Sequence, residues 1–74
     1  MDTNELANAL GAFVDTTTLA EVLGIPDRTL LAWRNDRTGP PFVRIGRHVR
    51  YRVSDVQAWL EEAARTTEQI WRAS

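Results

Sequence analysis

The stretch Thr17-Thr18-Leu19-Ala20-Glu21-Val22-Leu23-Gly24-Ile25-Pro26-Asp27-Arg28-Thr29-Leu30-Leu31-Ala32-Trp33-Arg34 decides how this chain folds. Thr18 with Glu21 three positions later has the form of a capping box, which opens a helix over Leu19 to Leu23. Gly24 suits the left-handed residue that closes such a helix, and Ile25 then drops toward the core. Pro26 and Asp27 open a second helix that runs through Trp33 or Arg34. The result is two short helices joined by a tight turn.

On the N-terminal side, Leu6, Ala9, Leu10 and Phe13 fall at helical spacing between Asp2 and Val14, with Asp2 and Glu5 as a capping pair. The run Asp15-Thr16-Thr17-Thr18, with its β-branched threonines, is expected to break that helix. On the C-terminal side, Gly39-Pro40-Pro41 stops helical structure, because proline lacks a donor and restricts the residue before it. Phe42 to Val53 then alternate with period two around Gly46-Arg47-His48, which reads as a β-hairpin. One face holds Val43, Ile45, Val49, Tyr51 and Val53 or the set opposite, and Arg44, Arg50 and Arg52 lie on the complementary face. Ser54 is the expected N-cap of a last helix, Asp55 favours the positive end of its dipole, and Val56, Trp59, Leu60, Ala63 and Ala64 form its apolar stripe. Thr67, Ile70 and Trp71 keep the spacing, so this helix is expected to outrun the core. The chain divides into an N-terminal segment (residues 1–15), a central domain (16–62) and a helical extension (63–74), mainly α with one small hairpin.

Charge is segregated along this framework. The chain of 74 residues carries a formal net charge of -1, yet seven of its nine basic residues and one of its ten acidic residues lie between Arg28 and Arg52. A phosphate backbone responds to that local patch rather than to the total. The remaining acids sit mostly on the end segments, Asp2 to Asp15 and Glu61 to Glu68, where they are expected to stay away from an anionic partner. All nine basic residues are arginine, which favours bidentate contacts and equally fits a GC-rich genome.

Composition narrows the function classes. A single domain of this size leaves little room for a catalytic cleft. With no cysteine and one histidine, disulfides, thiolate zinc sites and His-rich metal sites are excluded, and no cofactor is implied. No apolar run approaches the roughly 18 residues of a membrane span, and the start of the chain is acidic where a secretory signal is basic. The simplest expectation is an intracellular, cytoplasmic chain. His48, Ser54 and Asp55 supply catalytic residue types, but helix capping accounts for Ser54 and Asp55, so no enzyme is expected.

Helix, turn with Gly24, and helix from Pro26 form the helix-turn-helix pattern, whose second helix lies in the DNA major groove. A basic hairpin directly after it is the arrangement of a winged helix. On this pattern Thr17 and Thr18 mark the start of the first helix, and Asp27, Arg28, Thr29 and Arg34 point outward from the second. Arg28 can offer two donors to guanine, Thr29 can meet a phosphate or a thymine methyl, and Asp27 either accepts from cytosine or orients Arg28. Arg47 projects from the wing tip toward the minor groove, where it favours a bent duplex. Arg44, Arg50 and Arg52, with Arg37 nearby, fit phosphate contacts. His48 is either a tolerated polar residue of the turn or a direct contact. Trp33, Tyr51 and Trp59 lie on the apolar stripes of their elements and are expected in the core rather than as base-stacking platforms.

From Thr17 to Leu60, about three-fifths of the chain, the series Leu19-Ala20-Glu21-Val22-Leu23-Gly24-Ile25, Arg28-Thr29-Leu30, Gly39-Pro40-Pro41-Phe42-Val43-Arg44-Ile45-Gly46-Arg47-His48-Val49-Arg50-Tyr51, Ser54-Asp55-Val56 and Trp59-Leu60 resembles the MerR-like winged-helix domain of small phage excisionases and AlpA-type regulators. The resemblance implies double-stranded DNA as partner, Arg28 and Thr29 in the major groove, and Arg47 with its neighbours at the minor groove or its phosphates. MerR regulators continue into a long dimerisation helix and an effector domain, whereas this chain stops at Ser74, which disfavours a ligand sensor. Chains of this size resemble the excisionases, or recombination directionality factors, that accompany tyrosine integrases in temperate phages, a set that includes phages of actinobacterial hosts. The expected role is therefore DNA binding and bending at repeated sites, with head-to-tail self-association on DNA and an integrase as a protein partner. Alternatives are an AlpA-type transcriptional regulator and, in another class, a protein-interaction module that uses the arginine patch. Leu6, Leu10, Phe13, Ile70 and Trp71 are too apolar for idle tails. Either the terminal helices pack on each other, or they offer a surface to another protein.

Overall fold

The computed structural model describes residues 2–10 and 12–73, apart from the side chains of Ala7, Ala9, Leu10 and Ala73. In chain order the elements are α1 (Thr3–Leu10), β1 (Phe13–Val14), α2 (Thr16–Leu23), α3 (Asp27–Asn35), β2 (Val43–Ile45), β3 (His48–Arg52) and α4 (Val53–Ala73). The strands form one antiparallel sheet in the order β1-β3-β2. This is a mainly helical winged helix-turn-helix, as the sequence pattern predicts.

The first helix starts where expected, with the Glu5 amide donating to Asp2 Oδ1 at 2.8 Å. It ends earlier than expected. Phe13 and Val14 are extended and pair with Arg52 and Tyr51, because the free edge of β3 offers their backbone groups partners that a frayed helical end lacks. The threonine run does not break structure either. Asp15, not Thr18, caps α2: its carboxylate accepts from the Thr18 amide at 2.8 Å, and Thr16 to Thr18 become the first turn. Gly24 closes α2 at φ 69, with its amide directed at the Ala20 and Glu21 carbonyls. The α2–α3 turn therefore has the expected form.

The hairpin closes through Gly46 and Arg47, but its faces differ from expectation. Val43 stands opposite Arg50, Arg44 opposite Val49, and Ile45 opposite His48. Directly paired residues share a face, so Val43, Ile45, His48, Arg50 and Arg52 lie on one side, and Arg44, Val49 and Tyr51 on the other. The two apolar residues of β2 and those of β3 thus occupy opposite faces. What decides the register is Tyr51, which is fully buried and turns its face of β3 toward the helices.

The core comprises Leu19 and Ala20 of α2, Leu30 of α3, Tyr51 of β3 and Val56 of α4. Val14, Leu23, Ile25, Trp33 and Val49 pack around it. Each fully buried aliphatic or aromatic side chain contributes about 1.5–3 kcal/mol, so a core this small depends on every member. Trp33 and Trp59 meet with ring centroids 5.7 Å apart. No separate cap precedes α4: the strand runs into Val53, whose amide donates to the Ala12 carbonyl at 2.8 Å, and Ser54 sits inside the first turn instead of before it. Asp55 occupies that first turn as expected.

α4 continues past the core, and the molecule is elongated to 51 × 24 × 20 Å. Leu6 is 50 % exposed, Ile70 64 % and Trp71 77 %, so much of each of these side chains stays open to solvent. Phe13 is half-buried in β1, and the Leu10 side chain lies outside the described residues. Among the described residues no helix is long and apolar enough to cross a membrane.

Candidate nucleic-acid interface

Two anchors fix the helix-turn-helix. The Thr17 hydroxyl donates to Asp27 Oδ2 at 2.8 Å, tying the first turn of α2 to the first turn of α3. That bond occupies the carboxylate assigned from sequence to cytosine or to Arg28. Arg34 supplies the second anchor. Its Nη1 donates to the Tyr51 hydroxyl at 2.8 Å and to Thr16 Oγ1 at 3.1 Å, and its guanidinium lies 5.8 Å from the Phe42 ring centroid. One side chain of α3 thereby braces α2, the wing and the loop before the wing.

Arg34 was expected to point outward and instead turns inward. It lies at i+4 from the buried Leu30 and next to Trp33, so helical periodicity places it on the apolar face. The outward stripe of α3 is Arg28, Leu31, Ala32 and Asn35, all exposed, while Thr29 is half-buried. Leu31, Ala32 and Asn35 escaped the sequence reading, although their spacing from Arg28 marks one helical face. Asn35 and Arg28 are side chains suited to bidentate base contacts, and Leu31 and Ala32 can meet thymine methyls.

The wing and α2 enclose an open cleft of about 310 Å³, lined by Asp15, Thr16 and Thr17 on one side and Arg47, His48, Val49 and Arg50 on the other, with Arg34 between. Arg47 occupies the turn and His48 the adjoining strand position, both exposed. Arg50 is half-buried and donates to the Val49 carbonyl at 2.8 Å. Thr18 stands beside this cleft with its amide on Asp15. That amide, then the Thr18 hydroxyl, and more weakly the Arg50 charge hold the Asp15 carboxyl below its ordinary value, against a small opposing effect of burial. Asp15 is therefore not kept apart from the basic patch; it lies inside it.

The structure brings only part of the patch together. Arg44 is exposed on the wing face that carries Tyr51. Arg52 stands apart from the cleft, with its guanidinium 5.6 Å from the Phe13 ring centroid. Arg37 is exposed just past α3 at φ 59, beside a shallower hollow lined by Arg34, Gly39 and Phe42. The residue types suggestive of hydrolysis are dispersed: His48 lines the arginine cleft, whereas Ser54 lines a different hollow with Asn8 and Phe13.

An outward helical face beside a cleft of arginines on a hairpin can read base edges with one element and hold phosphates with the other. Residues 13–64, which run from β1 to the middle of α4, match a family described as a helix-turn-helix domain. No curated protein matches the chain. The match takes in both helices, the whole wing and the first turns of α4, and on that ground the chain belongs to the helix-turn-helix domain family, a DNA-binding family that includes AlpA-like, excisionase-type regulators.

Proposed function

We propose that this chain is a sequence-specific DNA-binding and DNA-bending protein of the excisionase type, which binds repeated sites near a phage attachment site and steers a tyrosine integrase toward excision. The observation that carries this reading is that α3 starts beside the arginine cleft under the wing, with Asp27, the neighbour of the exposed Arg28, bonded to the cleft residue Thr17. α3 enters the major groove, with Arg28 on a guanine and Thr29 on a phosphate or a thymine methyl. The wing follows the backbone, with Arg47 at the minor groove and Arg44 and Arg50 on phosphates. Arg34 acts as a positioning residue that sets the angle between reader and wing. Arg52 is a peripheral phosphate contact, and Thr17 and Thr18 place the start of α2 against the backbone.

Head-to-tail self-association on DNA belongs to the same reading. An apolar groove of about 280 Å³ between α2 and α4, lined by Val22, Val56 and Leu60, is complementary in character to Trp71, which α4 presents at its far end. A knob at one end and a groove at the other make a heterologous contact, the kind that repeats along a filament. Several protomers on adjacent sites strengthen a DNA interface that one small domain limits.

Titration of duplex DNA at several salt concentrations tests the reading. With about five phosphate contacts, log affinity falls with log salt at a slope of roughly -4 to -5. No binding to any duplex at low salt overturns it in favour of a protein-interaction module. Arg28→Ala should relax sequence preference at a cost of about 1–3 kcal/mol, while Arg50→Ala weakens all duplexes alike. An excision assay with the cognate integrase completes the test: stimulation of excision is expected, and promoter occupancy without any effect on excision assigns the AlpA-type regulatory role instead.

A further inference from the structure

The arginine cleft contains one carboxylate. Asp15 lines it together with Arg34, Arg47, His48 and Arg50. Three features keep that charge in place. Its Oδ1 accepts the Thr18 amide, so moving the side chain uncaps α2. The same bonding to Thr18 keeps the carboxyl ionised to lower pH than an ordinary aspartate. The backbone at Asp15 is fixed between β1 and α2, which leaves no loop to swing the residue out.

A phosphate entering this cleft thus meets a fixed negative charge, and one of the α2 amides that could have received it is already taken. We propose that Asp15 is a built-in competitor of the DNA backbone: it partly neutralises Arg50 in the free protein and holds down the affinity of the cleft for any duplex. This rests on the DNA-binding reading and adds a limit to it. Every base sequence presents the same phosphates, so a uniform electrostatic penalty weakens random and cognate DNA alike. It leaves the discrimination supplied by α3 intact. On a genome rich in competing sites, such a penalty shortens the time spent on DNA that α3 cannot read.

Asp15→Asn separates the charge from the cap, because asparagine caps helices as well as aspartate does. Asp15→Asn should melt slightly below the unsubstituted protein at neutral pH, because the cap bond stays while the charge-dependent part of its stabilisation is lost. At about 50 mM salt its affinity for both a random and a cognate duplex should rise by roughly three- to tenfold, and the salt slope should steepen by about one. In an Arg50→Ala background the gain should shrink to less than half. Equal or lower affinity of Asp15→Asn at a temperature where it is fully folded overturns the proposal, and an undiminished gain in the Arg50→Ala background overturns the partnership with Arg50. Asp15→Ala guards against a folding artefact: it melts lower through loss of the cap, yet should show the same gain in affinity per folded molecule. If the unsubstituted protein binds no duplex at low salt, the DNA-binding reading fails, which is distinct from binding that Asp15→Asn leaves unchanged.

Discussion

Tyr51→Phe removes one oxygen from the fully buried ring that receives Arg34, and its effect can be worked from the structure. The Arg34 Nη1 to Tyr51 hydroxyl bond is 2.8 Å, and Arg34 keeps Thr16 at 3.1 Å when the hydroxyl is gone. A hydrogen bond to a charged group contributes about 1.5–3 kcal/mol, so Tyr51→Phe should cost about that amount. In a domain whose whole stability is on the order of 4–11 kcal/mol, the melting temperature should fall by roughly 6–24 °C. Arg34→Met should cost more, since it removes the bond to Thr16 and the guanidinium over Phe42 and leaves the Tyr51 hydroxyl buried without a donor. Urea denaturation of the two variants and of the double variant gives the coupling. Double replacement should be less destabilising than the sum by about 1–2 kcal/mol, because the second change removes a group already stranded by the first. A coupling below ~0.3 kcal/mol, within ordinary additivity, would refute the brace and leave Arg34 as an independent surface cation.

Gly39→Ala should destabilise by about 2–3 kcal/mol: the backbone there is at φ 80, and a Cβ would stand 2.8 Å from Trp33 Cε3. A urea midpoint equal to that of the unsubstituted protein refutes the close packing of this loop on Trp33. Arg37→Gly should act in two directions. Release of a non-glycine residue from φ 59 should raise stability by about 0.5–1 kcal/mol, while loss of the cation lowers duplex affinity on every sequence; binding that does not change removes Arg37 from the interface. The Asp15 carboxyl titrates lower in the folded chain than in the unfolded one, so its stabilisation is complete above about pH 4 and disappears as pH falls through the folded value. The stability difference between the unsubstituted protein and Asp15→Ala should therefore narrow in acid; a constant difference from pH 7 down to pH 2 contradicts the sign.

Much of this fold can be read from local signals that involve few residues. Asp2 with Glu5, Gly24 before Ile25, and the Gly39-Pro40-Pro41 stop act over one turn of chain, and the structure follows each of them. Errors arise where a tertiary partner chooses between two local options. Asp15 and Thr18 are both good caps, and pairing of Phe13 and Val14 with β3 favours Asp15 by bringing the chain extended to that residue. The wing has apolar residues on both faces, so alternation alone cannot fix its register; burial of Tyr51 does. The candidate site is legible both as a cluster of arginines and as a split between a reading helix and a gripping wing, but the places of Arg34 and Asp15 within it are not. The inward turn of Arg34 follows from its spacing to Leu30, a signal outweighed by its charge, whereas the entry of Asp15 into the cleft depends on α2 lying beside the wing, which no sequence spacing reports.

β1 is two residues long, yet it takes the outer edge of β3 with Phe13 opposite Arg52 and Val14 opposite Tyr51, and the Ala12 carbonyl extends the seam to Val53. An uncovered strand edge is a template for pairing with another chain. The N-terminal segment therefore serves as a stopper as well as a structural member: with it in place the longest strand has both edges occupied, and the outer edges of the sheet fall to the two-residue β1 and the three-residue β2, too short to template much pairing. A chain shortened beyond Val14 would expose that row of amides and carbonyls next to an apolar half-core, and its first defect would be insolubility.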